Sequence, residues 1–387
     1  MAAASVPGVR LVRRIAEVDA AAWDRLAEDD VYARHGWLAT VEETVTDGAD
    51  PVYFLLENDG RLEGAAIGYR LSGTAPSSLD ELLLGRFARP FGRLGISLRP
   101  ALLCAPLLGQ GRHVLWRRDN ASRERVLETL LDAVGRHAAA ERLSLAIAKL
   151  PVEERVLLDA LAGRGFARTM NWPVSVLDLR WESFDAWLES LGSVASNKIR
   201  RESAAPARAG VRVNAEPDFA HLGEALFALV AANQRAYSRQ PLGLDSGFFR
   251  ALARQHAGGC IVTVARAGTE LAGTALLLTA GRAAGGPLIG VSGNPRNRRA
   301  FTYFNLAFYE PIRWCIEHGV QRLWLGSGLY DMKRRRGCRE LELTMLIRHR
   351  SALGRIAVRI WCAAHRRWGT KKLERQGVRL AATSTHR

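Results

Sequence analysis

The segment Gly326–Cys338, GSGLYDMKRRRGC, sets one lysine and three consecutive arginines between glycines, directly after an apolar run that reads as a buried strand. A fixed ammonium beside a reacting carbonyl stabilises the oxyanion of a tetrahedral intermediate, and Lys333 is the residue here that can supply it. Arg334, Arg335 and Arg336 carry planar guanidinium forks, which grip phosphate through two oxygens and never lose their charge. Asp331 can orient Lys333 or take the proton of an attacking amine, and it can equally cap the turn. Tyr330, beside it, is a candidate substrate contact. A solvated basic turn is the plainer reading of the same residues.

Two other stretches carry candidate partners. SNKIRRES places Lys198, Arg200 and Arg201 on a helix able to clamp a pyrophosphate or to lie in solvent. SGNPRNRRAFTYFNLAFYE enters a long helix, where Tyr303 and Phe304 can wall an acyl site or belong to the core, and Asn305 can satisfy backbone groups. No serine stands in a G-x-S-x-G elbow. Five cysteines, Cys104, Cys260, Cys315, Cys338 and Cys362, are scattered without paired spacing or companion histidines, so neither a disulfide framework nor a zinc site is expected.

The elements that would position these groups follow from composition and pattern. The chain has 387 residues, 48% hydrophobic and 24% charged, enough for two ordinary cores. No run approaches the length needed to span a membrane and the first residues lack an apolar signal region, so a soluble, cytoplasmic protein is expected. The formal charge is +16, and it is local: from Lys333 onward 16 Lys and Arg face three acids, a surplus of +13 that leaves +3 for the rest. A localised positive field attracts phosphate-rich partners or anionic lipid, and an arginine-rich chain decorating an exposed helix is the alternative. Arginine outnumbers lysine 50 to five.

One plan is used twice. VYFLLENDGRLEGAAIGYR and IVTVARAGTELAGTALLLT both read as hairpins, with Leu62-Glu63-Gly64 aligning with Leu271-Ala272-Gly273. GWLATVEET precedes the first and GFFRALARQ the second, each as a helix. LETLLDAVGRHAAAERLSLAIAKL and LAFYEPIRWCIEHGVQRLWLGSGL supply a helix and then a strand after each. An insertion of 29 residues, Ser72–Pro100, lengthens the first copy and reads as a loop with a short helix, a possible lid. The expected units are an N-terminal α/β domain over 1–175, a C-terminal one over 176–350, each a mixed sheet flanked by helices, and a basic amphipathic helix and tail over 351–387. In that helix Leu353, Ile356, Ala357, Ile360, Trp361, Ala364 and Trp368 form one apolar stripe, expected to pack on the protein and turn the cations outward.

The order of these motifs resembles the Fem-type peptidoglycan-bridge aminoacyltransferases and related acetyltransferase-like proteins of peptidoglycan biosynthesis. FNLAFYEPIRWCIEHGVQRLWLGSGLYDMKRRRGC is similar to the family's closing section, SNKIRRESAAPARAGVRV to its basic helix and following strand, and AAWDRLAEDDVYARHGWLATVEE to its opening. The resemblance implies two tandem GNAT-type acetyltransferase folds, an α/β (α+β) architecture, and an N-acyltransferase that forms an amide. Gly328, Lys333 and Gly337 match the family's glycine, lysine and glycine, whereas Cys338 stands in place of an aromatic and Met332 precedes the lysine. The resemblance implies the oxyanion role for Lys333, in a groove between the two halves.

For the donor, acyl-CoA enzymes of this type bind pyrophosphate with a glycine-rich turn at a helix N-terminus. The corresponding NPRNRRAFTY has no glycine, and GQGRH at Gly109–His113 is a weak match. Aminoacyl-tRNA fits the basic C-terminal region better, because phosphate neutralisation dominates such binding. The acceptor implied is an amine of a peptidoglycan precursor or a small metabolite, with no metal or other cofactor and with peripheral membrane contact open. An acyl-CoA-dependent acetyltransferase and a non-catalytic RNA- or membrane-surface-binding module are the alternatives.

Overall fold

Period-two apolar runs become strands and the three- and four-residue stripes become helices that cover them, so that each half builds the same sequence of elements. The computed structural model describes residues 8–46, 48–72, 83, 97–117, 122–237 and 242–378. The first half supplies β1 (Val9–Val12), β2 (Ala49–Asn58), β3 (Arg61–Leu71), β4 (Ala101–Cys104), β5 (Val114–Trp116), β6 (Ser144–Pro151) and β7 (Ala167–Asp178). The second supplies β8 (Val211–Ala215), β9 (Cys260–Ala267), β10 (Glu270–Ala280), β11 (Ala283–Val291), β12 (Arg322–Trp324) and β13 (Arg339–Arg348). Both expected hairpins, β2/β3 and β9/β10, form with the loops at Asp59-Gly60 and Gly268-Thr269. The expected loop at Ser72–Pro100 lies for the most part outside the described residues.

These strands make one mixed sheet in the order β1-β2-β3-β4-β6-β13-β7-β12-β11-β10-β9-β8, with β5 against β3. Matched in chain order, the second half's β8 to β13 repeat the first half's β1 to β4, β6 and β7. The final strands are exchanged. β7 of the first half lies between β13 and β12, and β13 of the second lies between β6 and β7. Residue 175, the expected boundary, therefore sits inside β7, and backbone pairing runs through it.

Helices Ala20–Ala27 and His35–Thr44 from the first half and Gly223–Tyr237 and Phe248–His256 from the second pack together over one face. Their apolar residues Trp23, Trp37, Phe248 and Phe249 are fully buried, and Trp37 meets Phe248 edge to face at 6.0 Å. Truncating such a side chain to Ala costs about 3–5 kcal/mol. The opposite face is covered by Arg123–Ala140 over the first half and Glu310–Glu317 over the second.

Ala352–Arg375 is a single helix, N-capped by the Ser351 hydroxyl, and it packs on β7. Its buried side shares only Trp361 with the expected stripe. Gly354, Val358, Trp361, Cys362, Gly369 and Leu373 face the protein, whereas Leu353, Ile356 and Ile360 are 80%, 57% and 67% exposed. The reason is close approach. A Cβ on Gly354 would stand 2.0 Å from the His349 ring, and one on Gly369 2.6 Å from the Met170 sulfur, so the glycine-bearing side is the one that fits the sheet. No helix among the described residues is long and apolar enough to cross a membrane.

Candidate active site

In each half one parallel strand pair separates partway along. β4 and β6 pair from Ala101/Ser144 to Cys104/Ile147, and β11 and β12 from Ala283/Arg322 to Gly285/Trp324. Beyond Gly285, β11 continues to Val291 against β10, while the chain after β12 turns toward β7, where Leu325 N–H donates to the Ser175 carbonyl and Ser175 N–H donates to the Gly326 carbonyl. A gap opens between them. In the first half the equivalent space is taken by the chain itself: Gln110, Arg112 and His113 are buried, and Arg112 pairs with Asp30 at 2.6 Å and lies over Trp116. Burial pushes the His113 imidazole down to about 3, so it is neutral. The GQGRH stretch thus fills space and does not form an anion-binding turn.

The second half's gap is bordered by the loop that carries Lys333. Gly326 and Gly328 have φ of 69° and 78°, and Leu329 follows at 51°. Repeated left-handed residues curl the loop so that its carbonyls point inward. The Lys333 ammonium donates to the carbonyl of Gly326 at 2.9 Å and of Ser327 at 3.3 Å. Lys333 is 4% exposed. Burial lowers its pKa to about 8, with the Cys338 thiol acting weakly in the other direction. The short helix Tyr330–Arg334 ends in a Schellman arrangement: Cys338 N–H bonds the Lys333 carbonyl and Gly337 N–H that of Arg334, with Gly337 at φ 83°. The lysine's backbone is thereby fixed at both ends of its turn.

Directly behind this loop lies a buried ionic cluster. Glu202, on the helix Ser193–Ser203, accepts from Arg336 at 3.0 Å and from the Tyr309 hydroxyl, while Arg336 also bonds Tyr309 at 2.6 Å and the Met332 carbonyl at 3.0 Å. The guanidinium is packed against Phe304, Phe308 and Tyr309, at 4.8, 5.0 and 5.3 Å from the ring centres. Asn305 donates to the Glu202 and Phe301 carbonyls. Residues Asn305–Tyr309 form one turn of π-helix, a widened turn that brings Tyr309 onto Glu202. The Tyr309 phenol is raised by burial and by Glu202.

The three sequence motifs therefore do meet, but not as arranged from the sequence. Arg336, expected to hold phosphate, is turned into the core and neutralised by Glu202. Arg334 is tied to Glu340 at 2.9 Å and to the Gly377 carbonyl at 3.2 Å, which anchors the end of the C-terminal helix. Arg335 is the outward member, 69% exposed in its side chain, with Asp331 at 3.0 Å. Asp331 pairs with Arg335 and Arg334, so the carbonyls of Gly326 and Ser327, and not Asp331, orient Lys333. Tyr330 is buried, its hydroxyl donating to the Pro173 carbonyl at 2.9 Å. Lys198, Arg200 and Arg201 are exposed on the helix that Glu202 anchors, and Lys198 lies 3.9 Å from Glu202. Tyr303 and Phe304 are half-buried and pack on one another and on Phe308.

Glu202 and Tyr309 are the members that sequence reasoning missed. The signal was available for the first: Glu202 is the lone acid among the four charged residues of a basic helix. The cysteines offer no alternative nucleophile, since burial pushes the thiols of all five up to about 12. Among the described residues no group of three His, Cys, Asp or Glu is placed to hold a metal ion. What the arrangement can offer chemically is a desolvated ammonium, held rigidly at the edge of a strand gap.

A family model described as FemAB-like, peptidoglycan biosynthesis/recognition, matches residues 14–378. A comparison with curated proteins gives no significant match. Among solved structures the chain is similar to FemX, at 13% identity and TM-score 0.58, covering 87% of this chain and 96% of that one. It is also similar to L-PGS from Bacillus licheniformis, at 11% identity and TM-score 0.52, covering 85% and 95%. The exchanged double sheet, the lysine loop beside the second gap and the match over nearly the whole sequence converge: the chain belongs to the FemAB-like family, and it shares its fold with FemX.

Proposed function

We propose that the protein forms an amide by transferring an aminoacyl group from aminoacyl-tRNA to an amine of a peptidoglycan precursor, in the cytoplasm where charged tRNA is found. The observation that carries this reading is the Lys333 ammonium, which spends two of its three N–H bonds on the carbonyls of Gly326 and Ser327. The third is left for an oxyanion. The acceptor amine adds to the ester carbonyl, the C–N bond forms, and the negative charge on the former carbonyl oxygen is met by Lys333. Collapse breaks the bond to the terminal ribose oxygen, which leaves with the proton the amine gives up. The low-dielectric surroundings strengthen the charge–charge term at the moment it develops.

Two features favour tRNA as donor over acyl-CoA. The helix at the expected pyrophosphate position, Pro295–Arg299, is five residues long and N-capped by its own Asn294 side chain, which occupies the Arg296 N–H. The exposed Lys198, Arg200, Arg201 and Arg335 provide separated cations suited to an extended phosphate chain. The test is amide formation with labelled aminoacyl-tRNA and, separately, with acyl-CoA. Product formation abolished by ribonuclease treatment of the donor supports the proposal, and thioester consumption without RNA overturns it.

A further inference from the structure

At the other end of the C-terminal helix lies a second basic feature that the acyl-transfer reading does not use. A cavity of about 920 Å³ opens between the helix Arg123–Ala140 and the turn His349–Ser351, and Arg136, Arg142, Arg164, Arg348, Arg350 and Arg355 line it with one carboxylate, Asp132. Arg164 engages Asp132 and Glu128, and Arg350 the Ser97 and Leu98 carbonyls. Arg136, Arg142 and Arg355 have no carboxylate partner among the described residues. Burial, together with Arg164 and Arg355, lowers the pKa of the Arg348 guanidinium, a sign of the cavity's positive field.

Beside it the helix presents its unexpected outer face. Leu353, Ile356 and Ile360 recur at i, i+3 and i+7 and are the exposed large aliphatics of that helix. From Ala352 to Arg375 seven Lys and Arg face one acid. Aliphatic side chains flanked by arginines suit the boundary between headgroups and acyl chains, where both are satisfied at once. A polyphosphate alone would have no use for the aliphatics. The helix runs about 36 Å from the cavity to the Lys333 loop, so the two sites are separate.

We propose that this face docks on an anionic lipid bilayer, with Leu353, Ile356 and Ile360 entering the interface and the arginine-lined cavity taking a headgroup phosphate. The experiment is sedimentation of the full chain with vesicles of phosphatidylcholine alone or with phosphatidylglycerol. Binding is expected to need phosphatidylglycerol and to weaken with salt. L353S/I356S/I360S should lower partitioning about tenfold or more, and R136E/R142E should lower it and flatten the salt dependence. Because all three aliphatics are exposed, the triple variant should keep the parent's unfolding midpoint. Equal binding to phosphatidylcholine alone, or a triple variant that partitions like the parent, overturns the proposal. So does release by tRNA that depends on the arginines and not on the aliphatics, which would make the cavity an RNA site, or release by inorganic phosphate alone, which would make it a free-phosphate site.

Discussion

Replacing Lys333 by methionine removes the ammonium while keeping the chain's length and much of its volume, and it separates a catalytic lysine from one that only ties its loop. The ammonium titrates near 8 instead of 10.5 because the surrounding protein withholds water from it. Each pK interval is worth 1.36 kcal/mol, so carrying this charge at neutral pH costs the folded state about 3 kcal/mol relative to the unfolded chain. The sign follows directly. Between about 8 and 10.5 the unfolded chain keeps the proton that the folded protein has lost, so the parent's stability rises with pH across that window. The variant has nothing to titrate there.

The assay is urea unfolding followed by tryptophan fluorescence, for parent and Lys333→Met, at several pH values from neutral to above 10. Other titrating groups cancel in the difference. That difference should move by about 3 kcal/mol in the parent's favour as pH rises, while at neutral pH the variant forms amide about 10²–10³ times more slowly. Cys338, the nearest titrating neighbour, stays protonated until about 12 and does not disturb the window. A pH-independent difference would show that the lysine is not buried as a charge, and an unchanged rate would refute its role at the carbonyl.

Breaking the buried pair by Glu202→Leu should destabilise the protein by about 3–5 kcal/mol, because Arg336 is left as a buried charge with no carboxylate to balance it. Adding Arg336→Met should recover most of that loss in a double-mutant cycle, and strictly additive losses would show that the two do not act as a pair. Gly328→Ala meets no atom within 4 Å, yet its φ of 78° opposes a side chain, so it should cost about 1 kcal/mol in urea unfolding. Its rate should fall by more than its stability explains, since the carbonyls that orient Lys333 shift with the loop. Arg335→Ala should leave the unfolding midpoint within experimental error and weaken the salt dependence of tRNA binding, and filter binding at several salt concentrations would read this.

Local signals carried much of this architecture. The duplicated hairpins, the helix before each and the helix and strand after each were legible because apolar period and turn residues act within a few positions. The lysine loop was legible for the same reason, with its glycines marking left-handed turns. The inward turn of Arg336 was not, because what decides it is Glu202, far away in sequence and brought close only by packing. A run of three arginines says nothing about which one points where. The C-terminal helix has two apolar stripes, and the choice between them rests on Gly354 and Gly369 fitting against His349 and Met170, which no periodicity counts. Strand exchange was invisible as well, since each half reads as complete on its own.

That exchange has a cost during synthesis. β6 ends at Pro151, yet one of its neighbours, β13, begins only at Arg339, so on the ribosome the first half waits with an apolar edge open until nearly the whole chain has emerged. An open edge of this kind invites pairing with a second nascent chain, and two molecules could trade β13 for one another. A fragment stopped at residue 175 would keep β6 and most of β7 but lack the strand that lies between them. Such a fragment should aggregate, whereas the two halves produced together should reassociate through their missing strands.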